Sequence, residues 1–218
     1  NGVNQRVRSN SAEYASLRVR GKPVKLEPLA FLDFFKPNTA YAIAFDAGTT
    51  NNGCQSCTSI TNAHTTTGDN RVVVGMWGCY LATCDLASVT ATYAGVSMTS
   101  RVSEGDTSNA AGVLFTLYAP TVGANNLVFS FNSSATVVAS ATSYTGIDTS
   151  SATAHVGGTC SATYTTGNRN CTINSTAVGS LLVYYYRNNG VNTCAPQGTE
   201  TERFEHSNAT YKLWCGGD

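Results

Sequence analysis

Residues 71–80 read Arg-Val-Val-Val-Gly-Met-Trp-Gly-Cys-Tyr, a stretch that is apolar at nearly every position. Successive side chains of a strand point to opposite faces of a sheet, so apolar residues in both alternate sets predict a strand buried on both faces. Further strand-sized stretches follow on either side of it, at intervals of about 8 to 14 residues. The predicted strands are residues 41–45, 71–80, 86–93, 96–102, 113–118, 126–131, 137–144 and 181–187, with further alternation in 200–214.

The connections between these stretches are typical of an all-β protein. Ala94-Gly95 predicts a hairpin, Gly167-Asn168 and Asn188-Asn-Gly190 carry turn residues, and a Gly- and Asn-rich loop is expected after residue 45. No stretch of about 12 residues shows helical periodicity. The sequence therefore predicts a two-sheet β-sandwich of jelly-roll type with an extended N-terminal arm.

Composition excludes several classes of protein. The 218 residues include 13 basic and 13 acidic side chains, a formal net charge of zero. Such a chain has no overall field that would recruit nucleic acid or an anionic membrane. Hydrophobic residues make up 42% of the chain, which is enough for a core. No apolar run approaches the roughly 18 residues that would span a bilayer.

Residues 1–38 differ from the rest and are predicted to be a separate arm. They hold seven basic and three acidic residues, whereas residues 37–199 hold four basic and six acidic ones. Residues 14–20 alternate apolar and polar as a strand does, and residues 28–35 form an apolar cluster. The alternative is a solvated tail. Large apolar groups left in water argue for packing on a partner, and the residues expected to pack are Tyr14, Leu17, Val19, Leu29, Phe31, Leu32, Phe34 and Phe35.

Eight cysteines indicate disulfides and an oxidising compartment. They are Cys54, Cys57, Cys79, Cys84, Cys160, Cys171, Cys194 and Cys215. The spacing of the first four also allows a zinc site with four thiolates, although disulfides are favoured. A Cys160–Cys171 bridge would close a hairpin, and Cys194–Cys215 would tie residues 191–218 back to the body, residues 39–190; bridges between subunits are the alternative. Four sequons mark candidate glycosylation sites at Asn132, Asn170, Asn174 and Asn208.

Other residue patterns carry weaker functional hypotheses. Glu104-Gly-Asp106 could bind calcium but is better explained as a turn. The run of Tyr184, Tyr185 and Tyr186 with Trp77 could form a carbohydrate platform, although strand propensity also explains it. Acidic residues near the C-terminus could act as a glycosidase pair, a solvated edge around Arg203 being favoured; they are Glu200, Glu202 and Glu205, beside His206. His64, His155 and His206 lack metal-ligand spacing, and no nucleophile-elbow motif supports a catalytic triad.

Several segments, in order, resemble a jelly-roll-like β-sandwich module of phage and environmental bacterial structural or surface proteins. The segments are Ala42-Ile-Ala-Phe-Asp46, residues 62–71, Val72-Val-Val-Gly-Met76, residues 89–98, Leu117-Tyr-Ala-Pro120 and residues 141–148. The resemblance covers residues 41–188, and residues 16–23 resemble the start of some phage structural proteins. It implies a non-enzymatic module with no catalytic residues, although eight cysteines depart from its pattern.

Together these patterns predict a structural subunit of an extracellular filament or appendage that self-assembles through its arm into a helical or fibrous homopolymer. The alternatives are a carbohydrate-binding adhesin domain, whose partners would be glycans, and a phage virion tail or capsid decoration protein. We expect no enzyme activity, cofactor, metal, nucleic-acid partner or membrane span. The expected location is extracellular, on a cell or virion surface.

Overall fold

The computed structural model describes residues 42–80, 84–106, 110–151, 155–159, 180–188, 201–208 and 212–218. The chain separates into two units, Asn1–Thr39 and Ala40–Asp218, and every described residue belongs to the second unit. The predicted arm residues therefore lie outside the described part of the chain. So do Cys160, Cys171, Cys194 and the sequon residues Asn170 and Asn174.

The described residues form strands connected by turns. A single 3₁₀ turn, Leu86–Ser88, has Asp85 at its N-terminus accepting a hydrogen bond from the Ala87 amide at 3.1 Å. No helix in the described ranges is long and apolar enough to cross a membrane. The strands are β1 (Ala44–Thr66), β2 (Val72–Tyr80), β3 (Thr90–Tyr93), β4 (Val96–Ser97), β5 (Thr99–Asp106), β6 (Ala110–Tyr118), β7 (Gly123–Thr145), β8 (Tyr184–Asn188), β9 (Glu202–Asn208) and β10 (Lys212–Gly217).

Strands β1 to β7 form one antiparallel sheet of seven strands, in the order β4-β3-β7-β2-β6-β5, with β1 paired to β7. The first half of β7 pairs with β3 and its second half with β2, while β1 follows the other side of β7 throughout. The sheet folds over itself: the Trp77 and Phe131 ring centroids are 5.4 Å apart, and those of Phe115 and Phe129 are 5.9 Å apart. Its two halves thus enclose one core, and the sheet nearly closes.

The fold of the sheet occurs where β1 bends. Register shifts against β7 cluster between Asn51 and Ser59. Within this stretch Gly53 and Ser56 have φ values of 81° and 54°, in the left-handed region. Such irregularities bend a strand. They bring the two halves of β1 face to face, so that Thr49 Oγ1 lies 2.9 Å from His64 Nδ1.

Strand β2 is buried on both faces, as residues 71–80 predict. On its inner face Val73 and Trp77 belong to the main core, and on its outer face Val72 and Val74 belong to a second cluster with Tyr144. Eight of its nine residues are buried. Each fully buried large apolar side chain contributes about 1.5–3 kcal/mol, so β2 anchors both layers of packing.

A second sheet, in the order β8-β10-β9, packs on that outer face. The Tyr185 ring lies so close to Gly112 that a Cβ there would overlap the ring. Arg203 Nε donates to Asp218 Oδ2 at 2.8 Å, and its guanidinium carbon lies 3.8 Å from the Phe45 ring centroid. The ion pair therefore holds Asp218 to β9, and the cation–π contact holds β9 to Phe45 of β1.

The all-β class is confirmed, but the two-sheet jelly-roll sandwich is not, because one nearly closed sheet and one small sheet are seen instead. The expected loop after residue 45 is wrong, since β1 continues to Thr66. Alternate side chains from Ile60 to Thr66 are buried in this strand. Because most of these buried residues are polar, the sequence does not show the alternation as a hydrophobic pattern. Residues 126–131 and 137–144 likewise belong to one strand, β7, and residues 96–102 divide at Met98 into β4 and β5.

Candidate assembly surface

The two ends of the sheet's strand order come together beside a groove. Among the described strands, β4 pairs with β3 alone and β5 with β6 alone. Between them lies a groove of about 440 Å³, which we call the seam groove. Its lining includes Val89, Ala91, Met98, Ser100 and Phe115. Strand β5 is eight residues long, so its second side is a template for another strand.

The local sequence explains why the seam stays open. Ala94 and Gly95 have φ values of 51° and 79°, as a type I′ hairpin turn requires, and the returning strand β4 has only two residues. The Met98 amide donates to the Ala91 carbonyl at 2.9 Å, and the chain then leaves for β5. The backbone of β3 before Ala91 is therefore beyond the reach of β4, which leaves room for the groove.

The inner face of β5 carries only small side chains. Ser100, Ser103 and Gly105 lie opposite Phe115, Val113 and Ala111 of β6. The two serines are exposed, whereas the three β6 residues are buried. The apolar side chains that face the interior therefore end at β6, because β5 offers only two serines and a glycine on that face. A further row of apolar side chains would fit beside them.

The outer face of the seam is fixed by a polar network at a bulge. The register between β5 and β6 shifts around Arg101, and bulges redirect side chains. Arg101 Nε donates to Thr116 Oγ1 at 2.8 Å, and Thr116 Oγ1 lies 3.0 Å from His155 Nε2. The imidazole stacks on Tyr118 with ring centroids 6.0 Å apart. This network holds His155 against the outer face of β5 and β6.

His155 is neutral in this network. Burial lowers the pKa of His155 below its ordinary value, and the positive charge of Arg101 lowers it further. Arg101 Nη2 lies 3.5 Å from His155 Nε2 and can only donate. In its contact with Arg101, His155 Nε2 is therefore the acceptor.

The opposite boundary of the sheet, along β1, is closed by hydrogen bonds between side chains. We call it the closed boundary, and its residues are Asp46, Thr49, His64, Thr67 and Ser143. Asp46 Oδ2 accepts from the Thr67 amide at 2.9 Å and from Ser143 Oγ at 2.8 Å, and Asp46 Oδ1 accepts from Thr67 Oγ1. With the Thr49–His64 contact, these bonds join both ends of β1 to each other and to β7.

Burial sets the charge states of the closed boundary. Burial lowers the pKa of His64, and the negative charge of Asp46 only partly offsets this effect. Burial acts to raise the pKa of Asp46, but hydrogen bonds from Thr67 and Ser143 outweigh it, so that pKa lies below its ordinary value. His64 is 1% exposed, so its contact with the Thr49 hydroxyl lies inside the folded sheet.

The first four cysteines form two disulfides, Cys54–Cys57 and Cys79–Cys84. This excludes the zinc site for these residues. The first disulfide spans the bend of β1, and the second links the end of β2 to the residue before Asp85. Short loops of this kind contribute about 2 kcal/mol each in the chain-entropy model. Cys215 lies in β10, and its side chain is outside the described atoms.

Among the sequons, Asn132 is exposed and lies on β7. The backbone N–H of Asn132 donates to Ser88 Oγ at 3.2 Å, so this bond does not use the side chain of Asn132. Asn208 is the last residue of β9, and its side chain is outside the described atoms. Asn132 is therefore the one candidate glycosylation position whose exposure the described structure establishes.

Trp77 cannot be part of a carbohydrate platform, because it is 1% exposed and lies in the core. Tyr185 packs on Gly112 beneath the small sheet rather than facing solvent. Burial raises the pKa of Tyr185, and the negative charge of Glu104 raises it further. Tyr184 and Tyr186 are part of β8. The strand β8 and the packing of Tyr185 agree with strand propensity, the alternative explanation.

The acidic patterns also differ from expectation. Glu104 and Asp106 lie within β5 rather than in a turn. Across the described residues, no group of three His, Cys, Asp or Glu side chains is placed to hold a metal ion. Arg203 forms an ion pair with Asp218, and β9, which carries Glu202 and Glu205, lies at an edge of the small sheet. Glu200 is outside the described residues, and the side chain of His206 is outside the described atoms.

Sequence reasoning missed the seam itself. The feature that indicates the seam is the row of small residues Ser100, Ser103 and Gly105 beside the apolar strand β6. This row is recognisable only once the register between β5 and β6 is known. The contact of Arg101 with His155 joins residues 54 positions apart and left no local pattern.

Comparisons of the chain with protein-family models, with curated proteins and with solved structures found no match. Any functional conclusion therefore depends on the residues and geometry of this chain.

Proposed function

We propose that the protein is a structural subunit of an extracellular filament or appendage, which self-assembles through its N-terminal arm. The observation that carries this proposal is the open side of β5 beside the seam groove. A long edge strand pairs with an added strand through its backbone, and this mode of contact builds polymers when donor and acceptor lie on the same chain.

The sequence of the arm supports the proposal because it complements that edge. Residues 14–20 have the period of a strand, and the arm has a formal charge of +4, from seven basic and three acidic residues. Residues 37–199 have a formal charge of −2, from four basic and six acidic residues. Opposite charges favour contact of the arm of one copy with the body of another, within about a Debye length of 8–10 Å.

The body has properties suited to an exposed assembly. Two disulfides are typical of proteins that leave the reducing cytosol, which supports the extracellular location. Charged residues make up 12% of the chain, so subunits can pack without desolvating many ions. The two halves of β7 face each other across the core, and this supports a jelly-roll-like sandwich as the finer description of the fold.

The test compares the full chain with a variant that lacks residues 1–36. We expect filaments of the full chain in negative-stain micrographs and a monomer after deletion, because the strand donor has been removed. Circular dichroism serves as the folding control, since the β signal must persist in the deleted chain. Filaments formed without the arm, or a full chain that stays monomeric at all concentrations, would show that the proposed function is wrong.

A further inference from the structure

We propose that residues 16–20 of a second copy add to the open side of β5, with Leu17 and Val19 facing the interior and Arg18 and Arg20 facing Glu104. This inference rests on the proposed function and assigns its acceptor site. The seam thus takes a specific occupant, a basic strand from another subunit, rather than an arbitrary apolar peptide.

The inner face of β5 fits the apolar half of that strand. Ser103 and Gly105 point to the same side as Val113 and Ala111 of β6, and neither offers a branched side chain. An added strand continues the alternation of the sheet, so Leu17 and Val19 would extend the interior row beside them. Ser103 is exposed. The space beside it on the inner side of β5 is therefore open to a new side chain.

The outer face of β5 fits the basic half. Glu104 lies opposite Gly112 and therefore on the face away from the interior. Tyr185 packs on Gly112, so Glu104 lies on the same face as the Tyr185 hydroxyl, and its negative charge adds to the effect of burial in raising the pKa of Tyr185. The spacing Glu104-Gly-Asp106 in the sequence equals the spacing Arg18-Val-Arg20. Opposite charges in facing positions of neighbouring strands stabilise pairing, and like charges disfavour it.

The described part of the body is entered at β1, which is not the strand proposed to accept the arm. The described chain enters the body at β1, and strands β7, β2 and β6 separate β1 from β5 in the sheet. The described chain thus begins at one boundary of the sheet, and the proposed acceptor strand β5 lies at the other. A contact between opposite boundaries of identical subunits is heterologous and repeats without closing, which is the geometry of a filament.

The experiment measures the critical concentration of assembly by sedimentation, using the full chain throughout. Glu104→Arg alone, and Arg18→Glu with Arg20→Glu, each place like charges in facing positions. We expect each change to raise the critical concentration about tenfold, and their combination to restore it to within about threefold of the unchanged chain. Asp69→Arg is the matched control, because it changes an exposed acid by the same charge far from β5 along the chain.

A second variant tests the inner face. Ser103→Trp fills the space beside Gly105 and is expected to abolish assembly while the body stays folded, since Ser103 is exposed. Thr65→Trp, on an exposed position of β1, is the matched control. Hydrogen exchange of β5 amides in the polymer should be slower than in the dilute monomer, because an added strand accepts their hydrogen bonds.

The outcomes separate this inference from the proposed function. If the deletion of residues 1–36 abolishes assembly but Glu104→Arg and Ser103→Trp assemble normally, the acceptor site is wrong and the function stands. Failure of the combined charge variant to recover overturns the register. Slow exchange of β5 amides in the dilute monomer would mean that the subunit's own arm occupies the site, and this overturns the assignment to a second copy.

Discussion

The two boundaries of the folded sheet use polar residues in opposite ways. Along the closed boundary, Asp46, His64 and Ser143 are drawn into hydrogen bonds that join both ends of β1 to β7. At the seam, Ser100 and Ser103 are exposed and sit where a further apolar row would fit. Small polar residues are therefore not confined to the surface of this protein. On one side they close the sheet, and on the other they leave it open.

The largest expected loss of stability comes from opening the closed boundary. Asp46→Asn weakens the charge-assisted hydrogen bonds from Thr67 and Ser143, so we expect the free energy of unfolding to fall by about 2 kcal/mol at neutral pH. Urea denaturation followed by tryptophan fluorescence measures this, since Trp77 is buried in the core. Ser100→Ala on β5 is the control and should change stability by less than about 0.5 kcal/mol, because Ser100 is exposed. Equal losses would contradict the difference between the boundaries.

The sequence predicts the parts of this fold that depend on apolar pattern. The strand at 71–80 and the hairpin at Ala94-Gly95 follow from it, because burial on both faces and left-handed turns leave local signals. The preference for disulfides over zinc also holds for Cys54, Cys57, Cys79 and Cys84.

The sequence does not predict where the sheet closes. Asn62, His64 and Thr66 look like a polar loop, and only pairing with β7 shows that they face the interior. Whether a strand lies at an edge depends on its partners and not on its own residues. The open side of β5, which carries the proposed function, is therefore visible only in the structure.

A smaller effect distinguishes the histidines of the two boundaries. Burial lowers the pKa of both below 6.5, while the unfolded chain takes up a proton near 6.5. The unfolded state then binds more protons than the native state, so stability falls as the pH drops below 6.5 toward the folded pKa values. His64→Gln should flatten this dependence more than His155→Gln, because His64 is 1% exposed and His155 is half-buried.

Urea midpoints at pH 7.5 and 5.5 measure the two slopes. Glutamine keeps a polar side chain at each position but does not titrate, so folding is retained while the proton-linked difference is removed. The comparison between the boundaries would fail if His155→Gln flattened the curve as much as His64→Gln. That result would mean that the charge of Arg101 adds as much to the lowering of the pKa of His155 as the deeper burial of His64 adds to its own.

The last comparison makes the same substitution, serine to valine, at both boundaries. Ser103→Val should change the stability of the monomeric body by less than about 0.5 kcal/mol, because the serine is exposed. Ser143→Val removes the hydroxyl that donates to Asp46 at 2.8 Å from a site with 0% exposure, and should cost about 2 kcal/mol. Thermal unfolding of the two variants beside the unchanged chain gives the difference. Similar losses would mean that the inner face of β5 is already covered within the subunit, and such a strand has no room for a partner.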